Sequence, residues 1–94
     1  MGGTITIKVR ITGRVQGVWY RGWTVDQARR LGLAGWVRNR RDGSVEAVFS
    51  GPQHAVRTMI EWCRQGPPGA MVSGIAEQIE TEPVAPGFRH APTV

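Results

Sequence analysis

Residues 33–51, LAGWVRNRRDGSVEAVFSG, hold two β-prone runs on either side of the dipeptide Asp42-Gly43. Asp-Gly between such runs is a strong hairpin signal, because both residues tolerate the positive φ that a tight turn demands. The spacing predicts strands over Trp36–Arg40 and Ser44–Phe49, with Val45, Ala47 and Phe49 sharing one face. Glycines close the segment before Leu33 and after Ser50, so the hairpin is a unit with something different on each side.

What lies on each side has helical period. Upstream, Val25, Ala28 and Leu31 recur at helical spacing within Gly22–Leu31, with Asp26, Arg29 and Arg30 on the wet side. Arg29 and Arg30 suit the negative end of the helix dipole, and Gly32 is a natural terminator. Downstream, Pro52 opens a helix whose apolar stripe is Ala55, Val56, Met59, Ile60 and Cys63, and GPPG at 66–69 stops it. Further out, Ile5, Ile7, Val9 and Ile11 alternate with Thr4, Thr6, Lys8, Arg10 and Thr12, the period of a half-buried strand. A fourth strand is predicted over Met71–Glu82, with Val72, Ile75 and Ile79 on its apolar side. Pro83 and Pro86 then break the chain before a tail in which Phe88 can anchor on the core. Strand, helix, strand, strand, helix, strand is the ferredoxin-like α+β plan: a βαββαβ sandwich, its antiparallel sheet carrying both helices on one face. That plan serves enzymes, RNA binders and regulatory modules alike, so it does not name a function.

The bulk numbers fit one domain spanning residues 1–94. A chain of 94 residues, 40% hydrophobic, buries a core without disulfide or metal support. Cys63 is the only cysteine, which excludes an internal disulfide and points to a reducing, cytoplasmic compartment. No apolar run is long enough for a signal peptide or a membrane span. The start, MGGTIT, meets the loose myristoylation pattern, but Thr6 falls in the first strand and the match is read as accidental. The net charge of +5 is almost all arginine, Lys8 being the sole lysine, and it suits an anionic partner, whether nucleic acid or a small phosphorylated or carboxylated molecule.

The first strand runs into the helix through GRVQGVWYR, residues 13–21. Successive backbone N–H groups in such a loop can converge on an anion, and the helix behind adds its own unpaired N–H groups and positive dipole end. Gly13 and Gly17 permit the backbone conformations this needs. Arg21, at the helix start, can bring a planar guanidinium to the same point and grip two oxygens at once. The loop has no Lys-Ser or Lys-Thr pair and so is not a nucleotide P-loop. It also has no cysteine to form a phosphocysteine and no carboxylate to hold magnesium, which leaves water as the attacking group.

These segments together resemble the acylphosphatase family. The likeness is carried by GRVQGVWYR, by LGLAGWVRN at 31–39, by DGSVEAVFSGP at 42–52 and by GPPGA at 66–70. It spans Ile5 to Ile79 with the right spacing. The resemblance implies hydrolysis of small acyl phosphates without metal or organic cofactor. It implies Arg21 as phosphate ligand and Asn39 as the residue that positions the attacking water. The backbone of Val15, Gln16, Gly17, Val18, Trp19 and Tyr20 would then be the cradle for the substrate phosphate, or for free phosphate or sulfate. The chain departs from the family pattern at Tyr20, where phenylalanine is usual, and in its tail, which trails off after Phe88 and leaves the last sheet edge open.

The remaining candidates read as structural. Trp36 is expected to be a core or packing residue rather than a substrate contact, and Trp23 and Trp62 to pack on helices or stand partly exposed. Trp19 either walls the site or is exposed at the junction. His54 and His90 have no ligand-set spacing, so no metal site is expected. An RNA-binding domain of the same strand order would carry stacking aromatics on its third strand, whereas SVEAVFS offers one aromatic and an acid. A non-catalytic anion-binding module is the other alternative. The chain's extent favours a free-standing enzyme, with a monomer as the default and neither nucleic acid nor membrane as partner.

Overall fold

Alternation along the first strand puts its apolar residues on one side. In the computed structural model, which describes residues 3–94, β1 (Thr4–Arg14) buries Ile7, Val9 and Ile11 and turns Lys8, Arg10 and Thr12 to the opposite face. Met1 and Gly2, and with them the start of the lipidation-like pattern, lie outside the described residues. The chain continues through α1 (Tyr20–Arg30), β2 (Ala34–Asn39), β3 (Val45–Pro52), α2 (Gln53–Cys63), β4 (Met71–Ile79) and β5 (Phe88–His90). The sheet order is β4-β1-β3-β2-β5. Val25 and Ala28 of α1 and Ala55, Val56, Met59, Ile60 and Cys63 of α2 join the inward residues of β1, β2 and β3 in one core. Both helices therefore cover the same face, as the ferredoxin-like plan requires.

Within that plan several boundaries shift. α1 begins at Tyr20 rather than Gly22, because Trp19 already accepts the first helical hydrogen bond, from the Trp23 N–H (3.0 Å). β2 covers Ala34–Asn39, starting and stopping earlier than the Trp36–Arg40 expected, since Gly35 already pairs with Phe49. β4 ends at Ile79 rather than Glu82. After it the chain leaves the sheet edge and crosses the outer face, where Glu80 pairs with Lys8 (3.3 Å) and Glu82, Pro83 and Val84 lie over Trp36 and Val48. This crossing delivers a short fifth strand to the opposite edge, parallel to β2. The sheet is thus mixed rather than purely antiparallel. Trp36 sits under the crossing segment on the outer face, with the Arg38 guanidinium 4.6 Å from its ring centroid, and not in the helix-covered core.

β5 is held by Phe88, whose ring stacks on Phe49 (centroids 5.5 Å apart, planes 13° from parallel). Gly35 makes room between them. Its φ of 139° and the closeness of the Val48 carbonyl leave no space for a Cβ. Replacing Phe88 by alanine removes the apolar anchor of this edge and leaves its backbone pairing to β2 in place. Phe88→Ala is expected to lower unfolding free energy by about 3–4 kcal/mol, read as a fall in the urea midpoint at unchanged slope.

Candidate functional site

β1 and β2 are each antiparallel to β3, and β5 is parallel to β2. The C-terminal ends of all three strands therefore lie at the same end of the sheet. There the β1–α1 loop, the last residue of β2 and the last residue of β5 enclose a cleft of about 200 Å³. Its walls are Val15, Gln16, Gly17, Trp19, Tyr20, Arg21, Gly22, Asn39 and His90. Arg21 and Asn39 thus open onto one cavity, although 18 positions and a helix separate them in sequence.

The loop takes its path from both of its sides. Val15 and Tyr20 are buried and drive the two ends of the loop into the core. Between them Gly17 adopts φ 74°, a left-handed conformation that a side chain would strain. Gln16 fixes the loop to the hairpin: its Nε2 donates to the carbonyl oxygens of Arg40 and Ser44, both at 2.8 Å. The turn that receives these bonds is itself braced. Asp42 Oδ1 accepts from the Ser44 hydroxyl (2.6 Å) and the Ser44 N–H (2.9 Å), and Oδ2 accepts from Arg10 (2.7 Å). These bonds from Ser44, and then Arg10, hold the Asp42 carboxyl below the ordinary carboxylate range.

The N–H groups of Gln16, Gly17, Val18 and Trp19 have no acceptor among the described residues. Unpaired donors in a loop that opens straight into a helix N-terminus make an electropositive concavity without any charged side chain. Arg21 adds a formal charge, is partly exposed, and has no carboxylate partner among the described residues. Some arginines are engaged elsewhere: Arg38 and Arg40 both grip Glu46 (2.6 and 3.3 Å), and Arg57 grips Glu77 (2.6 Å). Val18 differs from its neighbours. Its side chain is absent from the cleft wall and packs against the core beside Gly69.

Tyr20 has a structural account. Its ring is buried and its hydroxyl donates to the Cys63 carbonyl (2.5 Å), one of the carbonyls that the end of α2 leaves without a helical partner. Burial, and then the neighbouring thiol, push the phenol well above its ordinary range, so it remains a neutral donor. A phenylalanine here would fill the same space and leave that carbonyl unsatisfied.

Trp19 and Gly22 each break a local rule. Trp19 stands at the N-cap of α1 with φ 64°, the only non-glycine residue with positive φ among the described residues, and caps nothing with its side chain. Such a conformation costs on the order of 1–3 kcal/mol. Gly22, in the first turn, gives up as much as about 1 kcal/mol of helix propensity relative to alanine. The Trp19 indole lies directly on Gly22, where a Cβ would collide with its Nε1 and Cε2 atoms.

Two wall residues lay outside the sequence reading. Gly22 read as the first residue of a helix, and His90 lay in a tail whose strand could not be foreseen. No group of three or more His, Cys, Asp or Glu side chains is placed to hold a metal among the described residues. Among the described residues no helix is long and apolar enough to cross a membrane.

A small α+β domain with two helices on one face of its sheet and a cleft at its strand ends belongs to the class of ferredoxin-like folds. Comparison narrows the class to one family. The acylphosphatase family model matches residues 7–90. An acylphosphatase of Rhodospirillum rubrum is 56% identical over 89 residues, 95% of this chain and 98% of its own. The structure of an acylphosphatase from Coxiella burnetii superposes with a TM-score of 0.90 at 34% identity, covering 94% of this chain and 93% of the other. That of acylphosphatase from Bacillus subtilis gives 0.87 at 32% identity, covering 93% and 98%. The chain belongs to the acylphosphatase family.

Removing the Tyr20 hydroxyl isolates its capping bond. Tyr20→Phe is expected to destabilise the fold by about 1–1.5 kcal/mol, visible as a lower thermal midpoint. An unchanged midpoint would mean that the Cys63 carbonyl is satisfied in some other way.

Proposed function

We propose that the cleft binds the phosphoryl group of a small acyl phosphate and directs water at its phosphorus. The chain is an acylphosphatase by family and fold, and the observation that carries the reading of its site is the meeting of Arg21, Asn39 and the loop residues Gln16, Gly17 and Trp19, whose amides are unpaired, at one cleft. The N–H groups from Val15 to Tyr20 cradle the phosphoryl oxygens. Arg21 places its guanidinium against two of them. Asn39 aligns a water opposite the oxygen that leaves.

The chemistry asks for little more. The attacking water forms a bond to phosphorus as the bond from phosphorus to the acyl oxygen breaks, giving a carboxylate and inorganic phosphate. Carboxylic acids have pKa values of about 4, so the departing oxygen needs no proton at neutral pH and no general acid. The water's proton passes to a phosphoryl oxygen, since an amide such as Asn39 does not titrate and acts by orientation alone. The transition state spreads charge over the equatorial phosphoryl oxygens, and donors already aimed at them supply the stabilisation. No metal or organic cofactor has a step to perform in this scheme.

The setting follows from the same features. A single cysteine, buried and unpaired, fits a cytoplasmic enzyme. Each group in the scheme comes from one chain, which supports a monomer. The outer sheet face is crossed by residues 80–84 and presents no aromatic platform on β3, which argues against nucleic acid as partner.

The roles separate under mutation. Arg21→Ala is expected to cut kcat/KM on a model acyl phosphate by about 10²–10³-fold or more and to weaken competitive inhibition by inorganic phosphate. Near-normal turnover would remove Arg21 from the site. Asn39→Ala is expected to lower kcat by about a hundredfold while leaving the phosphate inhibition constant in place. A large loss of phosphate affinity in that variant would contradict a role in aiming water.

A further inference from the structure

The wall of the cleft above the cradle is an indole, and the molecule sets aside two local preferences to keep it there. Trp19 occupies a backbone conformation foreign to large side chains, at a cap position where Ser, Thr, Asp or Asn would bond the helix end. Gly22 is a poor helix former inside the first turn, and only glycine leaves space for the ring. Together they seat the indole against the backbone of α1 at Gly22. Paired violations of this kind mark positions held for a purpose other than folding. Both residues line the cleft, and Trp19 is 64% exposed, so the ring is not spent on core packing.

From this we infer that Trp19 and Gly22 form an acyl-group subsite that selects aromatic acyl phosphates over small aliphatic ones. The inference rests on the reading of the cleft proposed above. With the phosphoryl group among the loop amides, the acyl substituent must leave through the mouth of the cleft, past the loop residue next to Tyr20. A planar acyl group there meets the Trp19 ring and gains offset-stacked contact that an acetyl group cannot make. The selection lies in the acyl portion alone and leaves the phosphoryl contacts untouched.

The experiment compares kcat/KM for benzoyl phosphate with kcat/KM for acetyl phosphate in the full chain and in three variants. The native ratio is expected to favour the aromatic ester. It should fall about tenfold in Trp19→Ala and recover in Trp19→Phe, which restores a ring at the same backbone position. It should also fall in Gly22→Ala, which keeps the tryptophan but evicts its ring. A merely structural role would depress both substrates equally and leave the ratio constant, and that result overturns the subsite. So does a native ratio near one. A chain that hydrolyses neither ester, even natively, overturns the phosphoryl reading and the subsite together, so the two failures are distinguishable.

Discussion

The side-chain amide of Gln16 is the joint on which the site depends. Its two N–H bonds go to carbonyls on either side of the β2–β3 turn, and the Ser44 carbonyl also receives the Arg40 N–H (2.8 Å). An amide nitrogen is well suited to this, having two donors at fixed geometry and no charge to desolvate. Without it, the loop after β1 would be joined to the hairpin only through the sheet below. With it, the loop and the end of β2 move as one body, so the Asn39 side chain keeps its place relative to the loop amides. A reaction that relies on positioning rather than on strong acids or bases tolerates little slack there.

The charges of the molecule divide along the same line. The outer sheet face uses its acids to hold its arginines: Glu46, only 8% exposed, lies between Arg38 and Arg40, and Asp42 secures Arg10. Cross-strand pairing sets this up, since Arg38 and Glu46 are direct partners in the β2–β3 register. The arginines of this face are therefore not a free basic patch. At the cleft, among the described residues, one guanidinium is unopposed by any carboxylate and a group of amides by any carbonyl.

Much of this architecture was legible from pattern alone. Period-2 alternation in β1, the Asp42-Gly43 turn and the helical stripe of α2 each answer to local geometry, and each appears where it was expected. β5 was not legible because three residues contain no period, and its partner β2 lies some fifty residues earlier and is reached only after the chain crosses the sheet. The place of His90 on the cleft wall was hidden for the same reason. Trp36 packs as its bulk suggested, and strict alternation with Gly35 and Val37 puts it on the outer face rather than the helix-covered one. In the site, the family motifs drew attention to Arg21 and Asn39, and the strand directions explain why two such distant residues share a cavity. The seat of Trp19 on Gly22 could not be read from spacing, because it depends on a left-handed residue just ahead of a helix.

The carbonyl that Tyr20 satisfies belongs to Cys63, whose thiol is sealed in the core and pushed up to about 12 by burial. A thiol so placed is a neutral, inaccessible sulfur, and alkylating reagents reach it only when the second helix lifts from the sheet. The rate at which such a reagent consumes the lone sulfhydryl therefore counts the openings of the core. The native chain carries its own clock for breathing motions, with no label added.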